Sequence, residues 1–259
     1  MFQIKRLEVR NFKSFDHLDI ELGKFNLLIG ANASGKSNFV QILRFLKDIT
    51  IYSLTDAISL SGGEYFLNRN IGRSEDFFLK IIIGGHKVPA IILEQLIKPF
   101  KGEENGEAEI IYEFGLRFID EGDEFEITRE DLTLRLMLAP EESPENSEKE
   151  IKIRYFREDN EMKREIQKPK GIKIVNEEEF IPRIPIPQKE LFLYYIPFYF
   201  AISSFGDIFL PNSIFLNLGI YNFDPKLSKK PVLPLEVRWL REDGSNLALV
   251  MREILRDPQ

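Results

Sequence analysis

The chain is 259 residues long, which fits one large domain or one and a half, and its 43% hydrophobic and 30% charged residues describe a globular protein with material for a core. It has no Cys and only two His, which excludes disulfide scaffolds, thiolate zinc sites and cysteine nucleophiles and argues against a histidine-built metal centre or a Ser-His-Asp hydrolase. A net charge of −7 argues against a generally basic nucleic-acid-binding surface, while leaving room for a local basic groove.

In chain order, residues 4–9 read as a strand, and Leu18, Ile20 and Leu22 alternate with Asp19 and Glu21 as a second, half-buried one. Asn11-Phe12-Lys13-Ser14-Phe15 forms the bend between them. Residues 25–29, a short apolar run after Gly23, read as a central strand buried on both faces and ending at Gly30. From Gly35 the period changes: Phe39, Ile42, Leu43 and Leu46 fall on one face of a helix reaching about Asp48. Residues 77–174 read mostly as strands, at 78–83 (stopping at Gly84-Gly85), 109–118, 125–138, 150–156 and 162–166. Solvated loops are predicted at 101–107 and 140–149, and Pro182, Pro185 and Pro187 mark a non-helical segment. Near the end, the turn Glu242-Asp243-Gly244-Ser245-Asn246 leads through an N-cap into a helix carrying Leu247, Val250, Met251, Ile254 and Leu255. That helix is in full stride at Asp257-Pro258-Gln259, as in a chain cut within something larger or completed by another polypeptide. The 22 Phe, against 4 Met and 1 Trp, predict a core of rigid rings. No signal-peptide pattern opens the sequence, and the most apolar stretch, 191–201, is shorter than the ~20 residues of a membrane span and contains Pro197, so a cytoplasmic protein is expected.

Chemistry concentrates at Gly30-Ala31-Asn32-Ala33-Ser34-Gly35-Lys36-Ser37, which fits G-x-x-x-x-G-K-[ST]. Successive amides of such a loop wrap phosphates, and the helix N-terminus adds partial positive charge. Lys36 would reach the β- and γ-phosphates, and the Ser37 hydroxyl would coordinate Mg²⁺. The pattern follows an apolar run and opens an amphipathic helix, the setting that the chemistry requires.

With Asn11-Phe12-Lys13-Ser14-Phe15 beside this loop and Ser37-Asn38 after it, residues 1–50 resemble the ABC-type heads of chromosome-maintenance and RecF-like repair ATPases, and the "AAA family" ATPases that share that head. The resemblance implies an α/β fold: a P-loop NTPase head lobe with a mixed sheet plus an antiparallel β subdomain. It implies that Lys13 and Ser14 contact ATP phosphates or ribose, that Asn32 approaches the γ-phosphate, and that Asn38 belongs to the same site. Ala33 departs from the commoner Gly there, yet is small enough to leave the cradle intact. Leu240-Arg241-Glu242-Asp243-Gly244-Ser245-Asn246-Leu247 resembles the segment that precedes the second half of such heads. The expected organisation is therefore a P-loop strand and helix unit at 1–76, a β-rich subdomain at 77–235, and at 236–259 the start of a helix leading to a C-terminal half. ATP and Mg²⁺ are the implied cofactors. The implied partner is a second head in a homodimer closed on ATP, or a C-terminal half in a longer chain, with nucleic acid open to the whole assembly and no membrane. By fold-level analogy the setting would be DNA repair, genome maintenance or phage defence.

Two further motifs are read as imitations. Leu60-Ser61-Gly62-Gly63-Glu64 spells the ABC signature but follows Ser37 after only 22 residues, so a loop whose glycines supply positive φ is expected. Leu116-Arg117-Phe118-Ile119-Asp120-Glu121 imitates a Walker B strand, but Arg117 interrupts the apolar run and a strand resumes at Phe125, so a hairpin is expected. His17 and His86 match no switch position. Gln188 is a weak match to the glutamine that reaches Mg²⁺ in this family, against the reading of a surface glutamine. Catalytic residues are thus unassigned. The alternatives are an ATPase completed by motifs elsewhere, and a module that binds ATP and dimerises without turnover. A small-molecule kinase, the third reading, fits the long antiparallel stretch poorly.

Overall fold

Alternation of apolar and polar residues sets the architecture, because a strand with one apolar face must bury it. The computed structural model describes residues 3–98, 106–119, 124–138, 149–158, 161–175, 187–195, 215, 218–229 and 239–256. Two compact units divide the chain, Met1–Leu216 and Asn217–Gln259.

In the first unit, β1 (Gln3–Phe12), β2 (Phe15–Glu21), β3 (Phe77–Val88), β5 (Gly106–Ile119), β6 (Glu124–Leu138), β7 (Lys149–Glu158) and β8 (Glu161–Gln167) form one sheet of order β2-β1-β3-β5-β6-β7-β8. Every pairing in it is antiparallel. The parallel component of the expected mixed sheet is absent among the described residues. β4 (Ile97–Lys98) and β9 (Lys173–Ile174) make a second, two-stranded ladder. Gly84-Gly85 does not stop β3: the strand continues to Val88 through a register shift between Ile83 and His86, where Gly85 at φ +79° admits the irregularity. A helix that the sequence reading did not anticipate, α3 (Ala90–Leu96), follows.

The inner sheet face buries Leu7, Val9, Leu79, Ile81, Tyr112, Phe114 and their neighbours. Against it lies α1 (Lys36–Ile51), whose Phe39, Ile42, Phe45, Leu46 and Ile49 are buried as the helical spacing predicts. Phe45 sits at the centre of a ring cluster, 4.9 Å from Phe66, 5.9 Å from Phe77 and 6.4 Å from Phe114 between centroids. The abundant phenylalanines do build the core, and edge-to-face contacts among them add about 0.5–1.5 kcal/mol each beyond burial. The outer face carries ion pairs instead, including Arg6 with Asp19 at 2.5 Å and Arg135 with Glu109 at 2.7 Å. Such exposed pairs each contribute about 1 kcal/mol or less.

α1 turns at Ser53 into α2 (Leu54–Leu60), and Ser53 Oγ accepts the Asp56 N–H at 3.1 Å as an N-cap. Ser53→Ala is expected to cost about 1 kcal/mol in urea unfolding, with the slope unchanged.

A charged pair, Glu130 and Arg157, is buried on the apolar side. Glu130 accepts hydrogen bonds from Tyr112 Oη at 2.8 Å and the Phe192 amide at 2.6 Å, and pairs with Arg157 at 2.9 Å. Arg157 also donates to the Glu190 carbonyl at 2.6 Å, while the Glu190 carboxylate accepts the Leu54 amide at 3.1 Å. The stretch 187–195 is thereby tied both to the sheet and to the start of α2.

In the second unit, Asn222 donates its amide to the Glu242 carbonyl at 2.8 Å, and the turn at 242–246 opens α4 (Leu247–Arg256) as the spacing predicts. Asn246 is buried, its side chain accepting the Arg241 amide at 2.7 Å and donating to the Trp239 carbonyl at 2.9 Å. The buried position on α4 is Leu249, while Met251, Ile254 and Leu255 are exposed. Residues 101–105, 140–148, Pro182, Pro185 and Pro197 lie outside the described residues.

Candidate nucleotide-binding site

The expected strand at 25–29 does not form. These residues belong to neither sheet, with Phe25 and Ile29 each 84% exposed. A central strand needs hydrogen-bonding neighbours on both edges, and the described sheet places none there.

The phosphate-binding loop then runs from Gly30 to the start of α1. Gly35, at φ +92°, is the N-cap residue, and its carbonyl accepts the first intrahelical bond, from the Phe39 amide at 2.9 Å. The amides of Gly35, Lys36, Ser37 and Asn38 therefore stand at the open helix end with no acceptor among the described residues. Lys36 Nζ is folded over the loop, donating to the carbonyls of Gly30 at 2.8 Å and Ala31 at 2.6 Å and to Ser34 Oγ at 3.2 Å. The cradle is tight where glycine is required. A Cβ on Gly30 would stand 2.7 Å from Ser34 Oγ, and one on Gly35 would meet the Phe15 ring and Ser14 Oγ at 3.2 Å. Asn32 and Ser37 are exposed on the same loop and first turn.

Ala33 is left-handed, at φ +66°. A Cβ in that region costs roughly 1 kcal/mol. Ala33→Gly is accordingly expected to tighten nucleotide binding two- to fivefold, because the loop is no longer strained in the conformation that presents its amides. Unchanged affinity in a titration would show that Ala33 relaxes on binding.

The turn between β1 and β2 packs on this loop. Asn38 Nδ2 donates to Ser14 Oγ at 2.7 Å, which joins the turn to the first turn of α1. Lys13 is left-handed (φ +51°), its Nζ lies over the Phe12 ring at 5.6 Å, and partial burial holds its ammonium below the usual lysine range. No carboxylate pairs with it among the described residues. Lys13, Ser14, Gly30, Ala31, Asn32, Ala33, Ser34, Gly35, Lys36, Ser37 and Asn38 thus come from one continuous corner of the molecule.

Over residues 2–190 the chain matches the family described as AAA ATPase domain. It belongs to that family. The family is one of P-loop NTPases of the RecF- and SMC-like kind, and the mixed α/β lobe with a large antiparallel sheet is consistent with an ABC-type head. No curated protein matches the chain. Among the described residues no helix is long and apolar enough to cross a membrane.

The remaining motifs of this AAA ATPase domain fall as follows. Leu60 ends α2, and Gly62 (φ +121°) and Gly63 (φ +54°) turn the chain into a short 3-10 helix, Gly63–Tyr65. The signature-like sequence is a glycine turn. Leu116 to Ile119 belong to β5 and pair antiparallel with β6, Ile119 opposite Glu124, while Arg117 is bound to Asp76 at 3.0 Å. They form one arm of a hairpin, and Asp120 and Glu121 lie outside the described residues. Gln188 is exposed, and two residues on Glu190 holds Leu54 beyond the far end of α1. A helix of 16 residues is about 24 Å long, so Gln188 does not face Ser37. His17 stands 3.4 Å from Glu8 on the outer sheet face, away from the loop. Among the described residues no three His, Asp or Glu cluster to hold a metal.

Proposed function

We propose that this AAA ATPase domain binds Mg²⁺-ATP on the loop from Gly30 to Ser37, and that it serves as the ATP-binding part of an ABC-type ATPase closed around nucleotide by two heads. The observation that carries the reading is the convergence of unpaired helix-end amides, Lys36 and Ser14 of the β1–β2 turn on one glycine-shaped cradle. Lys36 would exchange loop carbonyls for phosphate oxygens, and the amides of residues 35–38 would donate to the same group. The Ser37 hydroxyl would supply the protein's ligand to Mg²⁺, with Asn32 at the γ-phosphate side. Bound Mg²⁺-ATP supplies the scissile phosphoanhydride and the charge-neutralising metal.

The exposed side chains of Phe25, Leu27, Leu28 and Ile29 favour completion of the head by further strands, from a C-terminal half or a second polypeptide, and the paired heads would form a homodimer. Orienting the attacking water needs a group that the described residues do not bring to the loop, so this chain by itself binds ATP and turns it over poorly. By resemblance alone the assembly would act in DNA repair, genome maintenance or phage defence; among the described residues none marks a nucleic-acid contact.

The test measures nucleotide binding and phosphate release on the same sample with ATP and Mg²⁺. Binding with negligible release is the expected result. Rapid release by this chain, lost in Lys36→Ala, would overturn the division of labour and favour Asp120 and Glu121 as a Walker B pair.

A further inference from the structure

The Lys13-Ser14 turn does not hold itself. Its geometry is imposed by the loop that leaves α2, residues 61–75, to which neither the motif nor the family match gives a role. Three attachments converge. The Lys13 amide donates to the Phe66 carbonyl at 3.1 Å, and the Phe66 ring packs edge-on against Phe12 at 5.2 Å. Lys13 Nζ rests on Gly62, where a Cβ would stand only 3.4 Å from it. The third attachment is a buried amide pair. Asn11 is left-handed at φ +54° and fully buried; its Nδ2 donates to the carbonyls of Gly72 at 2.8 Å and Glu75 at 2.7 Å, and its Oδ1 accepts the Asn68 amide at 3.1 Å. Asn68, also buried, returns to the other side of the turn, donating from Nδ2 to Asp16 at 2.8 Å, while its Oδ1 accepts the Asn70 amide at 2.8 Å.

We infer that Asn68 is a positioning residue of the nucleotide site: through its main-chain amide to Asn11 on one side and its side chain to Asp16 on the other, it fixes the backbone that carries Lys13 and Ser14 beside the phosphate loop. The inference rests on the nucleotide reading above and adds the loop 61–75 to it. A left-handed, non-glycine backbone at both Asn11 and Lys13 persists only where its surroundings over-determine it, and these side-chain bonds supply that constraint. Among the described residues no carboxylate pairs with Lys13, whose ammonium lies by Gly62 and the Phe12 ring, so the position of its charge follows the backbone that carries it.

A double-mutant cycle on the full chain separates this role from plain stabilisation, using affinity for Mg²⁺-ATP as the readout. Asn68→Ala and the milder Asp16→Ala are each expected to weaken binding roughly three- to tenfold when Lys13 is present, and to add less than about twofold in a Lys13→Ala background. Asp16 is exposed, so its variant folds even if the Asn68 variant does not. An equal loss in both backgrounds, or none in either, would overturn the inference. Lys36→Ala run alongside isolates the nucleotide reading: if that variant binds as the parent does, the reading itself fails and the inference with it.

Discussion

Lys36→Ala is expected to lower affinity for Mg²⁺-ATP by roughly 30- to 150-fold, the equivalent of about 2–3 kcal/mol for a lost charge-assisted contact to phosphate. Its three present acceptors are the Gly30 and Ala31 carbonyls and Ser34 Oγ, all within the loop, so no core contact is removed. Thermal unfolding should therefore move by no more than a degree or two. Fluorescence anisotropy with a labelled nucleotide, paired with a melting curve, measures both quantities. A variant with intact affinity would mean that the loop's amides alone carry the phosphate, and a variant that melts far lower would mean that Lys36 is mainly a structural strut.

The second large effect lies away from the site. Arg157→Ala removes the guanidinium paired with Glu130, both of them buried, and is expected to cost about 3–5 kcal/mol because a buried carboxylate is left without its countercharge. Its pH dependence has a definite sign. Burial already pushes the Glu130 carboxyl above the usual range, against the opposing pull of Arg157, Tyr112 and the Phe192 amide. Without Arg157 it rises further. A carboxyl that binds its proton more tightly when folded contributes full stability below the unfolded value and loses it as pH rises through the folded one. The deficit of the variant should thus be smaller near about pH 5 than near about pH 8 in urea titrations. Equal deficits at the two pH values would show that Glu130 keeps the same protonation state in both proteins. The same substitution frees the Glu190 carbonyl, so protection of the stretch 187–195 in hydrogen exchange should fall with it.

What the sequence reveals and what it conceals divide along physical lines. Local periodicity is visible, so β1, β2, α1 and the β5–β8 meander are legible from alternation and helical spacing, and the phosphate loop from its glycines. Requirements met by distant partners are not. An apolar run at 25–29 predicts burial, but burial as a strand depends on neighbours that no local pattern announces. Asn11 meets Asn68 across 57 residues, and nothing near either residue signals the bond. Gly84-Gly85 reads as a stop because glycine ends strands and also permits bulges, and only the partner strand decides between them. Glu130 and Arg157 were within reach. Each continues an inward-facing alternation, Glu130 before Leu132, Leu134 and Leu136, and Arg157 after Ile151, Ile153 and Tyr155. Opposite charges at two inward positions of neighbouring strands were the available sign of a buried pair.

Isothermal titration of the folded chain with ATP, and separately with ADP, in the presence of Mg²⁺ tests the central claim most directly. Saturable heat of one-site stoichiometry, lost in Lys36→Ala, is the predicted result. A chain shown by its melting transition to be folded, yet giving no heat with either nucleotide, would contradict it.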